Sequence, residues 1–183
     1  MIKGVIHLLT IIMGMWVVGE PPMAAENSLR SNEVQIILYQ KGTQKFLDGQ
    51  SPHFQELLLE CENLLKTADS KYKLVVTKEL LSEIKKGVAL EIIYLKVKTA
   101  IIPFNQQTIY FSKLLIPLTG RFSNGTVFFA GISEYELKRD NPDLLPEQSY
   151  DYIDVYRTFN FVLNTKGLSK LKETLKKMSI KID

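Results

Sequence analysis

The sequence predicts an α+β domain, with about three helices packed on one face of a mainly antiparallel sheet and a signal segment in front. Strand-like and helical patterns alternate in the first half of the chain, and strand-like segments joined by short turns fill most of the second. Such tandem strands form antiparallel sheets, whereas parallel strands need long crossovers. A separate apolar run occupies the N-terminus.

The N-terminal run is typical of an export signal. Lys3 precedes the apolar stretch Val5–Val18, which a proline pair follows. A secretory apolar region spans roughly 7–15 residues, whereas a membrane-spanning helix needs roughly 20. Gly19, Ala24 and Ala25 are small enough for a signal peptidase site. We expect an exported protein, either secreted or held in the periplasm or cell envelope. A retained membrane anchor and a buried cytosolic helix are the alternatives.

Three segments follow from this interpretation: a signal peptide over residues 1–25, a linker over 26–32 and a single domain over 33–183. The domain is long enough to bury a core of its own. The chain has a single cysteine, so an intrachain disulfide is excluded and burial must stabilise the fold. Its net charge of +3 is too small to indicate nucleic-acid binding.

The first elements have clear boundaries. Glu33–Gln40 is rich in β-branched residues and predicts a strand, which Lys41-Gly42 turns. Ser51-Pro52 suits the start of a helix, because serine caps well and proline fits the first helical position. We expect this helix to end near Thr67.

The next strand is short, and a well-marked helix follows it. Tyr72–Val76 predicts the strand, and Thr77 predicts the helix N-cap. Glu79 lies in the first turn, where the helix dipole favours an acid. Gly87 ends the helix after two lysines.

The second half of the chain predicts an antiparallel meander. Val88–Val97 is the strongest strand pattern, and a turn at residues 105–107 leads into Thr108–Leu118. Another loop precedes the strand Thr126–Ile132. Glu134–Ser149 has no clear periodicity and is expected to be irregular, and a last strand lies within Asp151–Leu163. A closing helix is marked by apolar residues at helical spacing: Leu168, Leu171, Leu175 and Met178.

Cysteine and histidine give no catalytic or metal-binding pattern. Cys61 lies in the middle of an apolar helical stripe, which predicts a buried thiol. His53 is the only histidine after the signal, and its neighbours supply neither a catalytic partner nor metal ligands. We therefore expect a surface histidine, no metal and no cofactor.

The loop Gly120–Gly125 resembles a phosphate-binding loop only in its glycine spacing. Thr126 stands where the lysine of such a loop is needed, and a strand follows instead of a helix. A hairpin with positive φ at Asn124-Gly125 is the preferred interpretation. Arg121 and Phe122 lie in this loop and are candidate contacts for a partner.

An acidic stretch from Glu134 to Asp154 carries the candidate ligand platform. Its carboxylates lack the spacing and the glycine of an EF-hand, so calcium binding is not favoured. Tyr150, Tyr152 and Tyr156 share one side if this segment is extended. Rings beside carboxylates suit a sugar or a peptide. The alternative is a half-buried strand whose tyrosines complete the edge of the core.

The closing helix is basic. Lys170, Lys172, Lys176 and Lys177 form a candidate contact for an anionic polymer or lipid headgroups. The first alternative is a solvated helix face, because lysine is a good helix former near a C-terminus. The second is that the acidic stretch and the basic helix face one another, within the fold or between copies.

Glu91 is the one acid inside the strongest strand pattern. If helices cover both faces of the sheet, it is buried and its pKa is raised. If one face is open to water, Glu91 points to solvent, and this interpretation is preferred.

The functional expectation is a non-enzymatic exported domain that binds an envelope protein, a glycan or an anionic polymer. A small exported hydrolase with dispersed acid or serine residues is the alternative, and a purely structural subunit is a third hypothesis. Contact with a membrane is expected only through an uncleaved N-terminal segment. The sequence does not indicate an oligomeric state.

Overall fold

A computed structural model of the chain describes residues 33–72, 74–140, 151–152 and 162–182. The predicted signal peptide and linker, Tyr150 and Tyr156 lie outside these residues. The described part forms seven strands and four helices: β1 Val34–Gln40, β2 Thr43–Phe46, α1 Phe54–Lys66, β3 Ser70–Tyr72, α2 Lys78–Lys86, β4 Val88–Ile102, β5 Gln107–Pro117, β6 Thr126–Ser133, α3 Glu134–Asp140, β7 Val162–Asn164 and α4 Leu168–Lys177.

The seven strands form one sheet in the order β2-β1-β4-β5-β6-β7-β3, and every neighbouring pair is antiparallel. This confirms the α+β class and the antiparallel sheet. Register shifts interrupt the β4–β5 ladder between Ile93 and Lys98 and the β5–β6 ladder between Phe111 and Lys113. Such bulges bend the long strands locally.

Helices pack on both faces of the sheet, so the expectation of helices on one face is wrong. Ile36 and Leu38 of β1 join α1 and α4 in one core cluster, which we call the first face. Ile37 and Tyr39 join α2 and α3 in a second cluster, the second face. Strand β6 explains the difference, because all eight of its residues are buried. A strand that is apolar on both sides needs cover on both sides.

The helix boundaries agree with local signals in one case and differ in another. The Thr77 side chain accepts a hydrogen bond from Leu80 N at 3.2 Å, and Gly87 is the C-cap, so the predicted limits of α2 are confirmed. Helix α1 ends at Lys66 as expected. However, α1 begins at Phe54, because residues 51–53 form a turn in which Phe54 N donates to Ser51 O.

Three further segments differ from the prediction. The strand expected at Tyr72–Val76 lies earlier, at β3, where it pairs with β7 and residue 69 donates to Asn164 O. Strand β4 continues to Ile102, since its pairing with β5 resumes after the bulge. Residues 134–140 form α3 rather than an irregular stretch. Within this helix, Lys138 Nζ lies 2.7 Å from Oε1 of Glu134, one turn earlier.

Candidate functional site

A cleft separates the β1–β2 hairpin from the segment after α4. Lys41 and Gly42 both have positive φ and make the two-residue turn of the hairpin. Leu38 pairs with Lys45, so Lys45 projects from the first face of the sheet. Residues 178–181 lie beside this face, and Gln40 Nε2 donates to the carbonyl oxygen of Lys181 at 3.0 Å. The cleft has a volume of about 730 Å³.

The cleft combines an apolar floor with a basic rim. Lys41, Lys45 and Lys181 line it, and none of the described aspartates or glutamates does. Within the part of the chain that the structure describes, none of these lysines forms an ion pair. The remaining lining residues are Leu38, Gln40, Thr43, Val88, Met178, Ser179 and Ile180. The arrangement suits an anionic group attached to a partly apolar body.

A second group of ionisable residues lies in the core. Glu91 of β4 is opposite Ile37 of β1 and is 4% exposed. Tyr39 OH donates to Glu91 Oε2 at 2.6 Å, and Lys85 Nζ donates to the same oxygen at 2.9 Å. The preferred expectation that Glu91 points to solvent is therefore wrong. The cause is the cover on the second face, where α2 and Tyr152 pack.

The core compensates the charge of Glu91. Burial works to lower the pKa of Lys85, but the hydrogen bond and the negative charge of Glu91 outweigh it and raise that pKa. Burial and the hydrogen bond to Glu91 raise the pKa of Tyr39. Lys85 Nζ also lies 4.8 Å from the centroid of the Tyr39 ring, a cation–π contact. Glu91 lines neither the cleft described above nor two others formed by described residues.

Tyr152 belongs to this core rather than to an open surface. Its exposure is 3%, and burial together with the charge of Glu91 raises its pKa well above the ordinary value. This position corresponds to the alternative interpretation, in which the tyrosines complete the edge of the core. Tyr150 and Tyr156 fall outside the described residues, so a platform formed by them stays a prediction.

The predicted contacts Arg121 and Phe122 lie between β5 and β6. The Arg121 guanidinium is 4.5 Å from the centroid of the Phe122 ring, and its Nε lies 4.0 Å from Glu83 Oε1 of α2. Phe122 packs edge-on against Phe128, with centroids 5.4 Å apart. Arg121 is exposed, whereas Phe122 partly covers the second face. Their role in binding a partner stays a prediction.

The lysines of the closing helix are not gathered into one site. Lys177 Nζ lies 2.5 Å from Glu56 Oε1 of α1, and this hydrogen bond raises the pKa of Lys177. Lys170 lines a small cleft together with Glu60. Lys172 and Lys176 form no ion pair with a described residue. The acid that pairs with Lys177 thus comes from α1. Residues 141–150 and 153–154 of the acidic stretch lie outside the described residues, so its pairing with the helix stays a prediction.

Sequence reasoning missed the cleft between the hairpin and residues 178–181. A local signal existed, because Lys41 lies in the turn of the hairpin and Lys45 lies on the strand that follows it. Nothing local indicates that Lys181 approaches them, since the contact joins the two ends of the domain.

The described residues contain no group of three His, Cys, Asp or Glu side chains arranged to hold a metal ion. None of the helices in the described part is both long and apolar enough to cross a membrane. No protein-family model matches the chain, and neither the curated proteins nor the solved structures include a significant match.

Proposed function

We propose that the protein is an exported, non-enzymatic binding domain that recognises an anionic component of the cell envelope at the cleft between the β1–β2 hairpin and residues 178–181. One observation carries this proposal. Lys41, Lys45 and Lys181 surround a cleft with an apolar floor, and neither a lining carboxylate nor an ion pair with a described residue neutralises them.

The magnitude of the interaction favours a ligand with repeated charges. An exposed ion pair contributes roughly 0.2–1 kcal/mol, so three such contacts give at most about 3 kcal/mol. A single anion would therefore bind weakly. A polymer or chain that presents several anionic groups gains avidity without any new type of contact. Binding of this kind is weakened by salt, because the lysines are at the surface.

Export is supported by the N-terminal run of residues 1–25 and is tested by recovering the protein from cells. We expect the recovered protein to begin after Gly19, Ala24 or Ala25. Recovery from membranes with the N-terminus intact would favour the anchored alternative. Recovery from the cytosol beginning at Met1 would overturn the proposed location.

Binding is tested by calorimetric titration of the purified protein with dextran sulfate, with neutral dextran as the control ligand. The test variant carries Lys41→Gln, Lys45→Gln and Lys181→Gln. The matched control carries Lys170→Gln, Lys172→Gln and Lys176→Gln, so both variants lose the same charge.

We expect the cleft variant to bind dextran sulfate about tenfold more weakly than the wild type, and the control to stay within about twofold. Equal losses in both variants would show that net charge attracts the polymer without a defined site. A larger loss in the control would move the site to α4.

The hydrolase alternative has one observation in its favour, the position of Glu91 beside Lys85 and Tyr39. Both donors bind the same carboxylate oxygen, and Glu91 does not line the clefts described above, which is why the alternative ranks second. Hydrolysis of nitrophenyl esters or glycosides by the wild type, lost in Glu91→Gln without loss of folding, would establish it.

A further inference from the structure

We propose that the natural ligand of the cleft is an extended acidic peptide segment that adds a strand to the outer edge of β2, with its carboxylates at alternate positions facing the cleft lysines. This inference rests on the proposed function and names the class of its ligand. It combines three observations: the position of β2 in the sheet, the direction of its backbone groups and the side chains on its two faces.

Strand β2 is the edge of the sheet, and all four of its residues are exposed. The pair Gln40–Thr43 flanks the two-residue turn, and Leu38–Lys45 follows two residues further along the hairpin. Two residues beyond that pair, Leu47 N donates to Ile36 O at 2.9 Å. In an antiparallel ladder, backbone groups face the partner strand at every second residue. The N–H and C=O groups of Thr43 and Lys45 therefore face β1, and those of the alternate residues face outward.

The outward groups belong to Gln44 and Phe46. Each residue presents one donor and one acceptor to solvent at the edge, which is the pattern that an added strand pairs with. A polysaccharide or a lipid headgroup does not supply donors and acceptors at this spacing along a straight line, whereas an extended peptide backbone does.

The two faces of β2 specify which side chains the peptide carries. Thr43 and Lys45 project on the cleft side, and an added strand continues this alternation. Peptide residues opposite them would be acidic, within reach of Lys41 and Lys181 as well. On the other side, Phe46 is 60% exposed and would pack against an apolar peptide residue. The expected ligand alternates acidic and apolar residues.

A second copy of this chain is a poorer occupant of the same edge. Antiparallel pairing of two β2 strands keeps the same face of each sheet on one side. Lys41 and Lys45 of both copies would then share one surface, and like charges across strands are destabilising. The charges on β2 thus favour a different, acidic partner.

The test uses fluorescence anisotropy with a labelled octapeptide of alternating glutamate and valine. Two control peptides replace glutamate by lysine, or carry N-methyl groups on the alternate amides that would face β2. In the protein, Gln44→Pro removes an outward N–H without removing a bond to β1, and Gln44→Ala is its matched control.

We expect the glutamate peptide to bind and the lysine peptide not to bind. The N-methylated peptide, and Gln44→Pro against the unmodified peptide, should each bind at least about tenfold more weakly, because each removes ladder hydrogen bonds. Gln44→Ala should stay within about twofold. The N-methylated peptide keeps the test valid even if the proline variant does not fold.

Unchanged affinity of the N-methylated peptide would overturn the inference. If dextran sulfate binds at the cleft but the glutamate peptide does not, this inference fails and the proposed function stands. If neither ligand binds, both fail. A mass in sedimentation twice that of the chain, lost in Gln44→Pro, would assign the edge to a second copy and would also overturn the inference.

Discussion

Replacing Lys85 by methionine leaves the charge of Glu91 in the core without its cation. The side chains of Glu91 and Lys85 are 5% and 29% exposed, so the carboxylate loses its partner where water cannot replace it. Removing one member of a buried ion pair costs about 3–5 kcal/mol. Lys85 is partly exposed, so water already screens the pair in part. We therefore expect the free energy of unfolding to fall by about 2–3 kcal/mol. For a chain of this size, the melting temperature should fall by about 4–12 °C.

The assay is urea unfolding of four proteins: the wild type, Lys85→Met, Glu91→Leu and the double variant. Methionine keeps an apolar stem, and leucine removes the charge that needs compensation. The double variant should be more stable than the sum of the single losses predicts, with a coupling of at least about 1 kcal/mol. Lys86→Met is the control, because Lys86 is an exposed neighbour and should change stability by less than about 0.5 kcal/mol.

Additive losses of stability would contradict the coupling between Glu91 and Lys85, as would a Lys85→Met variant as stable as the Lys86→Met control. Either result would mean that Glu91 does not depend on Lys85 for charge compensation. Glu91 would then not be committed to the ion pair, and the hydrolase alternative would gain support.

Three other predictions concern the same fold. Burial raises the pKa of the Cys61 thiol, so we expect a thiol reagent at neutral pH to modify it only as fast as the domain opens. Gly131→Ala should destabilise by about 2–3 kcal/mol, because the new Cβ would lie 2.3 Å from Tyr110 O. The raised pKa values of Lys85 and Tyr39 contribute stability that is complete below the pKa of the unfolded chain, near 10, and is lost as pH rises toward the folded pKa. Urea unfolding across this range should therefore show a decline that Glu91→Leu reduces.

Each of these predictions has an outcome that contradicts it. Complete modification of Cys61 under native conditions, before any unfolding, would place the thiol at the surface. For Gly131→Ala, the comparison is Gly42→Ala, where no atom lies within 4 Å of the new Cβ and only the positive φ of 79° is unfavourable. A larger loss of stability in Gly42→Ala than in Gly131→Ala would contradict the close approach of Gly131 to Tyr110 of β5. Equal alkaline declines in the wild type and in Glu91→Leu would exclude the Glu91 cluster as their cause.

Helix α2 shows what the sequence could predict. Its limits depend on interactions within one turn, the Thr77 side chain with Leu80 N and the ending at Gly87, so local residues are sufficient. Most strand limits were also close, since β-branched residues and turn signals are local. The exceptions were β3 and the continuation of β4, whose extents depend on pairing with distant strands. Strand β2 was not predicted at all, although it pairs with β1 directly across the Lys41-Gly42 turn.

Glu91 shows what the sequence could not predict. Its environment depends on whether the second face of the sheet is covered, and the cover comes from α2 and Tyr152. The uninterrupted run of non-polar residues over Val127–Ile132 was the available sign in the sequence that both faces need cover. The cleft was harder to predict than the burial of Glu91, because Lys41 and Lys181 come from opposite ends of the domain.

The most direct test of the central claim is to map the ligand by amide chemical shifts in an isotope-labelled sample titrated with dextran sulfate. We predict that the largest changes fall on Thr43, Lys45, Ser179 and Lys181, that they saturate together, and that they are reduced by salt. Changes centred on Lys170 and Lys176, or spread evenly over the surface lysines, would contradict a binding site in the cleft.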